Sequence, residues 1–140
     1  MLTIRRASLQ DKSHIRAIYL SATGGQAIPG DTYLDGLISK GGVFVAERDG
    51  EVIGFGGVDL EAAEQIKYLY ILPKHHKGGI GSKILTRLEV AGWEAGLETL
   101  RLHSSPAAVG FYSRKGYKAV AEAEQAGHDH EGVEMIKVKG

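Results

Sequence analysis

The segment 69–85 places basic residues and closely spaced glycines directly after an apolar run. The apolar run predicts the end of a strand, Pro73 interrupts it, and the periodicity from Ile80 onward predicts a helix that begins within the glycines. The first turn of a helix carries amides without internal partners, and its dipole favours anions. Glycines let ligand oxygens approach those amides, because no Cβ stands in the way. The segment therefore predicts a phosphate or pyrophosphate cradle, to which Lys74 and Lys77 add positive charge.

Two common phosphate-binding motifs do not fit this segment. A P-loop requires a lysine and then a serine or threonine after its last glycine, but Ser82 and Lys83 follow Gly81 in the opposite order. A dinucleotide-binding fingerprint requires a small residue at position 84, where Ile84 stands. From this segment alone, the alternative stays open that a strand, a turn and a helix simply need glycines where they join.

A second segment, 105–117, predicts a short helix that carries a phenol. Ser105 suits the N-cap, Pro106 the first helical turn, and Gly116 the position after the helix end. Tyr112 lies between these signals. From the residues alone, Tyr112 is expected to pack as an aromatic side chain beside Phe111.

Both segments resemble the signatures of the GCN5-related N-acetyltransferases, the GNAT superfamily. Residues 76–81 resemble the R/Q-x-x-G-x-G/A motif that binds acetyl-CoA, with His76 in the place of the usual Arg or Gln. Residues 105–117 resemble the Asn-x-x-Ala-x-x-x-Tyr-x-x-x-Gly-Phe/Tyr motif, with Ser105 in the place of Asn. Ser105 keeps an oxygen for capping and loses the amide donor. The resemblance covers nearly the whole chain.

The resemblance implies an α/β (α+β) fold, the acyl-CoA N-acyltransferase fold, with a mixed and mostly antiparallel sheet of about six to seven strands flanked by four helices. The periodicity of the apolar residues predicts the same mixture of strands and helices. The 140 residues are expected to form one domain, 1–140. The strand–helix–strand order from 64 to 103 predicts that strands 66–72 and 99–103 lie parallel, joined by a right-handed helical crossover. The strands are expected at 2–7, 43–48, 51–60, 64–72, 99–103, 118–125 and 133–138, and the helices at about 11–21, 31–40, 79–95 and 106–115.

The resemblance also implies the co-substrate and its contacts. In this family the pantetheine arm of acetyl-CoA lies in the gap between two splayed parallel strands and pairs with main-chain groups, as an added strand would. The residues expected to bind acetyl-CoA are Leu69, Tyr70, Ile71, His76, Lys77, Gly78, Gly79, Ile80, Gly81, Ser82, Ser105, Ala108 and Tyr112. No metal is expected to take part.

The implied reaction is direct transfer of the acetyl group from acetyl-CoA to a primary amine of a small molecule, a peptide or a protein. Tyr112 occupies the family's usual position for the general acid that protonates the departing thiolate. A protonated amine also needs a base, and Glu64 is the first candidate because strand alternation would place it on one face with Tyr68 and Tyr70. Asp59 and Glu61 are the next candidates.

The loop 127–131, with two histidines and two acids, invites two other interpretations. Adjacent loop residues rarely converge on a metal without further ligands, so contact with the acceptor is the preferred role for this loop. Ser82 or Ser105 with a nearby histidine, His76 or His103, does not predict a serine hydrolase, because no Gly-x-Ser-x-Gly elbow is present.

The composition and charge of the chain narrow its possible partners and location. The formal net charge is zero and no basic stripe occurs, which argues against a nucleic-acid partner. No signal peptide or membrane-spanning run is expected, and the chain has no cysteine, so a cytoplasmic location without thiol catalysis is predicted. Edge strands near the C-terminus favour a homodimer. The rival prediction is a module of the same fold that binds acyl-CoA as a sensor or regulator and catalyses nothing.

Overall fold

The computed structural model describes residues 1–27, 31–76, 78–120 and 132–140. Within these residues the chain forms seven strands and four α-helices. In chain order they are β1 (Leu2–Arg6), α1 (Lys12–Ala22), α2 (Asp31–Ser39), β2 (Val43–Arg48), β3 (Glu51–Val58), β4 (Ile66–Ile71), α3 (Ile80–Glu94), β5 (Thr99–Ser104), α4 (Val109–Arg114), β6 (Lys118–Ala119) and β7 (Val133–Val138).

The first four strands form one antiparallel sheet in the order β1-β2-β3-β4. Asp49 and Gly50 join β2 to β3 with positive φ angles of 51° and 84°, as a tight two-residue hairpin turn requires. The meander β2-β3-β4 follows from this turn, since no helix separates these three strands.

The last three strands form a second antiparallel ladder in the order β5-β7-β6, so the fold class is confirmed but the strands divide into two sheets. β4 lies beside β5, and no main-chain ladder joins them in the described residues. The Gln65 side chain connects them at one end: its Oε1 accepts the amide of Arg101 at 2.9 Å, and its Nε2 donates to the carbonyl of Ala62 at 2.8 Å. Beyond this contact, the two strands border a gap.

The helices cover both faces of the first sheet. α1 and α2 bury Ile15, Ile18 and Leu34 against one face, while α3 packs on the other and extends its core to the second sheet. The glycines of β3 allow α3 to come close. A Cβ on Gly56 would lie 2.6 Å from Ile84 Cγ2, nearer than atoms pack, so the close approach of α3 to β3 requires a glycine there.

Two sequence predictions about β4 are wrong. The strand begins at Ile66 and not at Glu64. The predicted alternation of side chains from Glu64 to Tyr70 is also wrong, because Lys67 is an extra residue on β4 and shifts the register with β3 between Gly57 and Val58. A bulge of this kind turns the side chains on its two sides to opposite faces. Accordingly, Ile66 packs in the core beneath α3, whereas Tyr68 packs in the core beneath α1 and α2.

Some predictions lie at or beyond the limits of the described residues. β6 comprises Lys118–Ala119, while 121–125 of the predicted strand and the loop 127–131 lie outside the described residues. Among the described residues, no helix is long and apolar enough to cross a membrane. The single-domain organisation and the homodimer stay predictions.

Candidate active site

A cavity of about 510 Å³ lies where the start of α3, the end of β4 and the start of α4 meet. It brings together ten of the thirteen residues that the sequence analysis assigned to acetyl-CoA. These are Leu69, Tyr70, Ile71, His76, Gly79, Gly81, Ser82, Ser105, Ala108 and Tyr112. Three separate stretches of the sequence thus line one site.

The glycines form the turn that opens α3. Gly79 is the N-cap residue with φ +73°, a left-handed conformation that glycine adopts without steric cost. The first helical hydrogen bond runs from the Lys83 amide to the Gly79 carbonyl at 3.1 Å. The amides of Ile80, Gly81 and Ser82 therefore have no acceptor within the helix, and they are the donors that an anion at this end would use.

The edge of β4 that faces β5 offers main-chain groups. The Leu72 amide donates to the Ile53 carbonyl of β3 at 2.9 Å, so alternate residues of β4 direct their polar groups toward β3. Leu69 and Ile71 have the opposite parity and direct theirs into the gap. The expectation of main-chain contacts is wrong for Tyr70, because its amide and carbonyl face β3. Tyr70 can reach the cavity only with its side chain.

His76 closes part of this edge. Its Nε2 lies 2.9 Å from the Ile71 carbonyl oxygen, so the ring donates from Nε2 to the strand. An arginine or glutamine at this position could bond the same carbonyl. The substitution in the motif therefore keeps a donor beside the cavity.

Tyr112 lies in a cluster of aromatic rings. Its centroid is 5.2 Å from that of Phe111 and 5.7 Å from that of Tyr117, both in edge-to-face geometry. Burial raises the pKa of the Tyr112 phenol to about 12, and the phenol of Tyr70 contributes further. The phenol therefore keeps its proton throughout the neutral range and is able to donate it.

Several predicted residues contribute less than expected or lie elsewhere. Gly78 does not line the cavity, and the Ile80 side chain is fully buried in the core, so Ile80 can offer only its amide. Lys77 lies outside the described residues. Ser105 precedes the helical turn in extended conformation, but its hydroxyl makes no capping hydrogen bond, and the expectation of a side-chain cap is wrong.

A second, smaller cavity of about 180 Å³ occupies the gap between β4 and β5. It shares Leu69, Tyr70, Ser105, Ala108 and Tyr112 with the larger cavity, so the two adjoin. Its remaining lining residues come from the two strands: Ile66, Lys67, Tyr68, Leu102, His103 and Ser104.

The predicted bases are not among the residues lining either cavity. Glu64 precedes β4, and its Oε2 lies 4.0 Å from Nδ1 of His103 at the edge of the smaller cavity. Asp59 accepts a hydrogen bond from the Tyr33 hydroxyl at 2.6 Å. Asp59 and Glu61 line a different cavity of about 430 Å³, between the C-terminal ends of α2 and α3.

The sequence analysis missed three residues that line the larger cavity: Ala22, Ala107 and Phe111. Phe111 precedes Tyr112 on α4 and carries an aromatic signal, but its orientation depends on how α4 docks against α3. No group of three or more metal-ligating side chains is found among the described residues. The loop 127–131 lies outside them.

One cavity thus brings together helix-terminal amides, an open strand edge and a partly buried phenol, on residues that the sequence resemblance assigned to acetyl-CoA. The family model described as "Acetyltransferase (GNAT) domain" matches residues 39–119, which is more than half of the chain. The chain therefore belongs to the GNAT acetyltransferase family.

Relatives and solved structures agree with this assignment. The chain is 42% identical over 83 residues to a mycothiol acetyltransferase of Streptomyces avermitilis, a match that covers 54% of this chain and 27% of the relative. The chain thus spans about a quarter of the length of that curated relative. The PaiA N-acetyltransferase of Thermoplasma acidophilum, solved in complex with coenzyme A, superposes with a TM-score of 0.75 at 20% identity, covering 99% of each chain. A GNAT-family acetyltransferase of Staphylococcus aureus superposes with a TM-score of 0.81 at 14% identity, covering all of both chains.

Proposed function

We propose that this chain is an acetyl-CoA-dependent N-acetyltransferase that transfers the acetyl group directly to a primary amine of a small molecule, a peptide or a protein. The observation that carries the proposal is the single cavity in which the free amides of α3, the open edge of β4 and Tyr112 meet. A ligand with a pyrophosphate at one end and a thioester at the other fits this order of groups. Family membership and the coenzyme A named for the T. acidophilum structure support the same co-substrate.

The amides of Ile80, Gly81 and Ser82 would bind the pyrophosphate of acetyl-CoA, since each lacks a helical acceptor. The pantetheine arm would follow the edge of β4 and use the main-chain groups of Leu69 and Ile71. This path directs the thioester toward the gap that Tyr112 borders. The main-chain groups that bind acetyl-CoA would then also orient its thioester for the reaction.

The chemistry forms one bond and breaks another. The amine nitrogen attacks the thioester carbonyl, the C–N bond forms, and the C–S bond breaks as the thiolate leaves. We propose that Tyr112 gives its proton to the thiolate and regains one from the nitrogen, which loses a proton as the amide forms. The net products are the acetylated amine, the free thiol and one released proton.

Calorimetry with acetyl-CoA, followed by thiol release with a panel of amines, tests the proposal. We expect saturable binding, and thiol release that depends on both an amine and the protein. The chain contains no cysteine, so a thiol reagent reports the liberated coenzyme alone. Absence of binding would overturn the proposal.

Binding without thiol release on any amine would instead favour the sensor or regulatory module. The buried phenol favours the enzyme, because a module that only binds acyl-CoA has no need of a proton donor next to the thioester. The nature of the acceptor amine, the cytoplasmic location and the homodimer remain predictions from the sequence.

A further inference from the structure

The smaller cavity between β4 and β5 contains the group that the proposed reaction still lacks. An amine acceptor is mostly protonated at neutral pH and must lose a proton before it attacks. In the part of the chain that the structure describes, no carboxylate lines either the larger or the smaller cavity. A base for the amine must therefore come from another side-chain type or act from outside the lining.

The other titratable side chains lining the smaller cavity are poor proton acceptors near neutral pH. Burial raises the pKa of Tyr68, Tyr70 and Tyr112, so these phenols keep their protons. A lysine such as Lys67 ordinarily carries its proton as well. The imidazole of His103 is the group of this lining that offers a ring nitrogen able to accept a proton.

β5 directs His103 away from the core. Leu102 and Ser104, its neighbours on the strand, are buried, whereas His103 is exposed on the opposite face. The ring lies against Gly132, where an added Cβ would be only 1.9 Å from Nε2. Nε2 thus faces Gly132, while the other ring nitrogen, Nδ1, lies 4.0 Å from Oε2 of Glu64.

Charged groups surround this imidazole on several elements. Glu64 precedes β4, and Glu134 is the register partner of His103 on β7. Arg101 approaches Glu134, with 3.9 Å between guanidinium nitrogen and carboxylate oxygen, and Lys67 and Tyr112 border the same cavity. The carboxylate of Glu64 favours an ammonium group beside the ring, and then an imidazolium once the proton has moved.

We propose that His103 accepts the proton of the acceptor amine at Nδ1 and that Glu64 holds the ammonium and stabilises the imidazolium that forms. This inference rests on the proposed acetyltransferase function and assigns its base. One N–H bond of the ammonium breaks, its electron pair stays on nitrogen for the attack, and the proton goes from the imidazolium to solvent after turnover. Glu64, first considered as the base, becomes a positioning residue in this scheme.

The replacement His103→Asn tests the assignment, since the amide occupies the space near Nδ1 but cannot take up a proton. We expect turnover to fall by about a hundredfold with acetyl-CoA affinity unchanged. Without the imidazole only amine that is already neutral can attack, so the rate of the variant should keep rising with pH toward the pKa of the free amine, whereas the wild-type rate should level off at a lower pH. Added imidazole should partly restore turnover to His103→Ala.

Two further variants separate a chemical role from a structural one. Gly132→Ala would push the ring from its place, so it should lower turnover as His103→Asn does, again without loss of acetyl-CoA binding. Glu64→Gln should raise KM for the amine more than it lowers kcat, because the ammonium group loses its nearby carboxylate while the imidazole stays in place.

The outcomes distinguish the two proposals. If wild-type protein releases thiol and His103→Asn keeps its rate and pH profile, the assignment of His103 is wrong and the acetyltransferase proposal stands. If wild-type protein releases no thiol with any amine, the acetyltransferase proposal fails and the role of His103 fails with it.

Discussion

Replacing Tyr112 with phenylalanine is expected to lower turnover by about ten- to a thousandfold while acetyl-CoA affinity stays within about twofold. The ring contacts with Phe111 and Tyr117 survive the change, so the variant loses only the hydroxyl. The pKa of the phenol, about 12, keeps its proton in place at neutral pH until the thiolate forms, and the proton that Tyr112 then gives up is replaced from the nitrogen. Steady-state thiol release and calorimetry measure the two quantities.

The pH dependence of this deficit provides a further check. A group whose pKa is raised to about 12 stays in its acid form from pH 6 to pH 9, so the ratio of wild-type to Tyr112→Phe rates should be constant over that window. Full turnover by the variant would reduce Tyr112 to a packing aromatic. The matched control is Phe111→Leu, which alters the same aromatic cluster and leaves the phenol in place.

Replacing Gly79 with valine is expected to weaken acetyl-CoA binding about tenfold or more, which corresponds to about 1.4 kcal/mol. Gly79 lines the larger cavity at φ +73°, next to the free amides of α3, and no atom outside its own neighbourhood lies within 4 Å of an added Cβ. A branched side chain would therefore occupy the space that the pyrophosphate needs. Calorimetry with acetyl-CoA measures the loss.

Gly78→Val separates this effect from backbone strain. Gly78 also has a left-handed conformation, φ +98°, and open space around its Cβ, but it does not line the cavity. Both variants should lose about 1–2 kcal/mol of folding free energy, because a β-branched residue is strained there. Only Gly79→Val should lose much affinity. Equal affinity in the two variants would argue against a diphosphate site at the start of α3.

The residues around the cradle could be predicted from the sequence because their constraints are local. A strand, a proline, left-handed glycines and an amphipathic helix follow one another within about twenty residues, and each has its own signal. The position of Tyr112 was predictable for the same reason: Pro106 and Gly116 mark the two ends of its short helical segment. These predictions needed no knowledge of which strands pair.

The residues that line only the second cavity could not be predicted as site residues, because their place depends on how distant strands come together. The bulge at Lys67 arises from the register of β4 on β3, and it ended the alternation on which the choice of Glu64 relied. The contact between Gln65 and Arg101, and the place of His103 over Gly132, join residues that are far apart in the sequence. No local pattern reports such contacts.

The unpaired edge of β4 has a consequence for solvent exchange. The amides of Tyr70 and Leu72 face β3, whereas those of Leu69 and Ile71 face the gap, where the described residues offer no ladder partner. Deuterium should therefore enter this buried strand at every second amide, with Leu69 and Ile71 labelled far sooner than their neighbours. Saturating acetyl-CoA should slow labelling at those two positions, and mass spectrometry or NMR would detect the change without any knowledge of the acceptor.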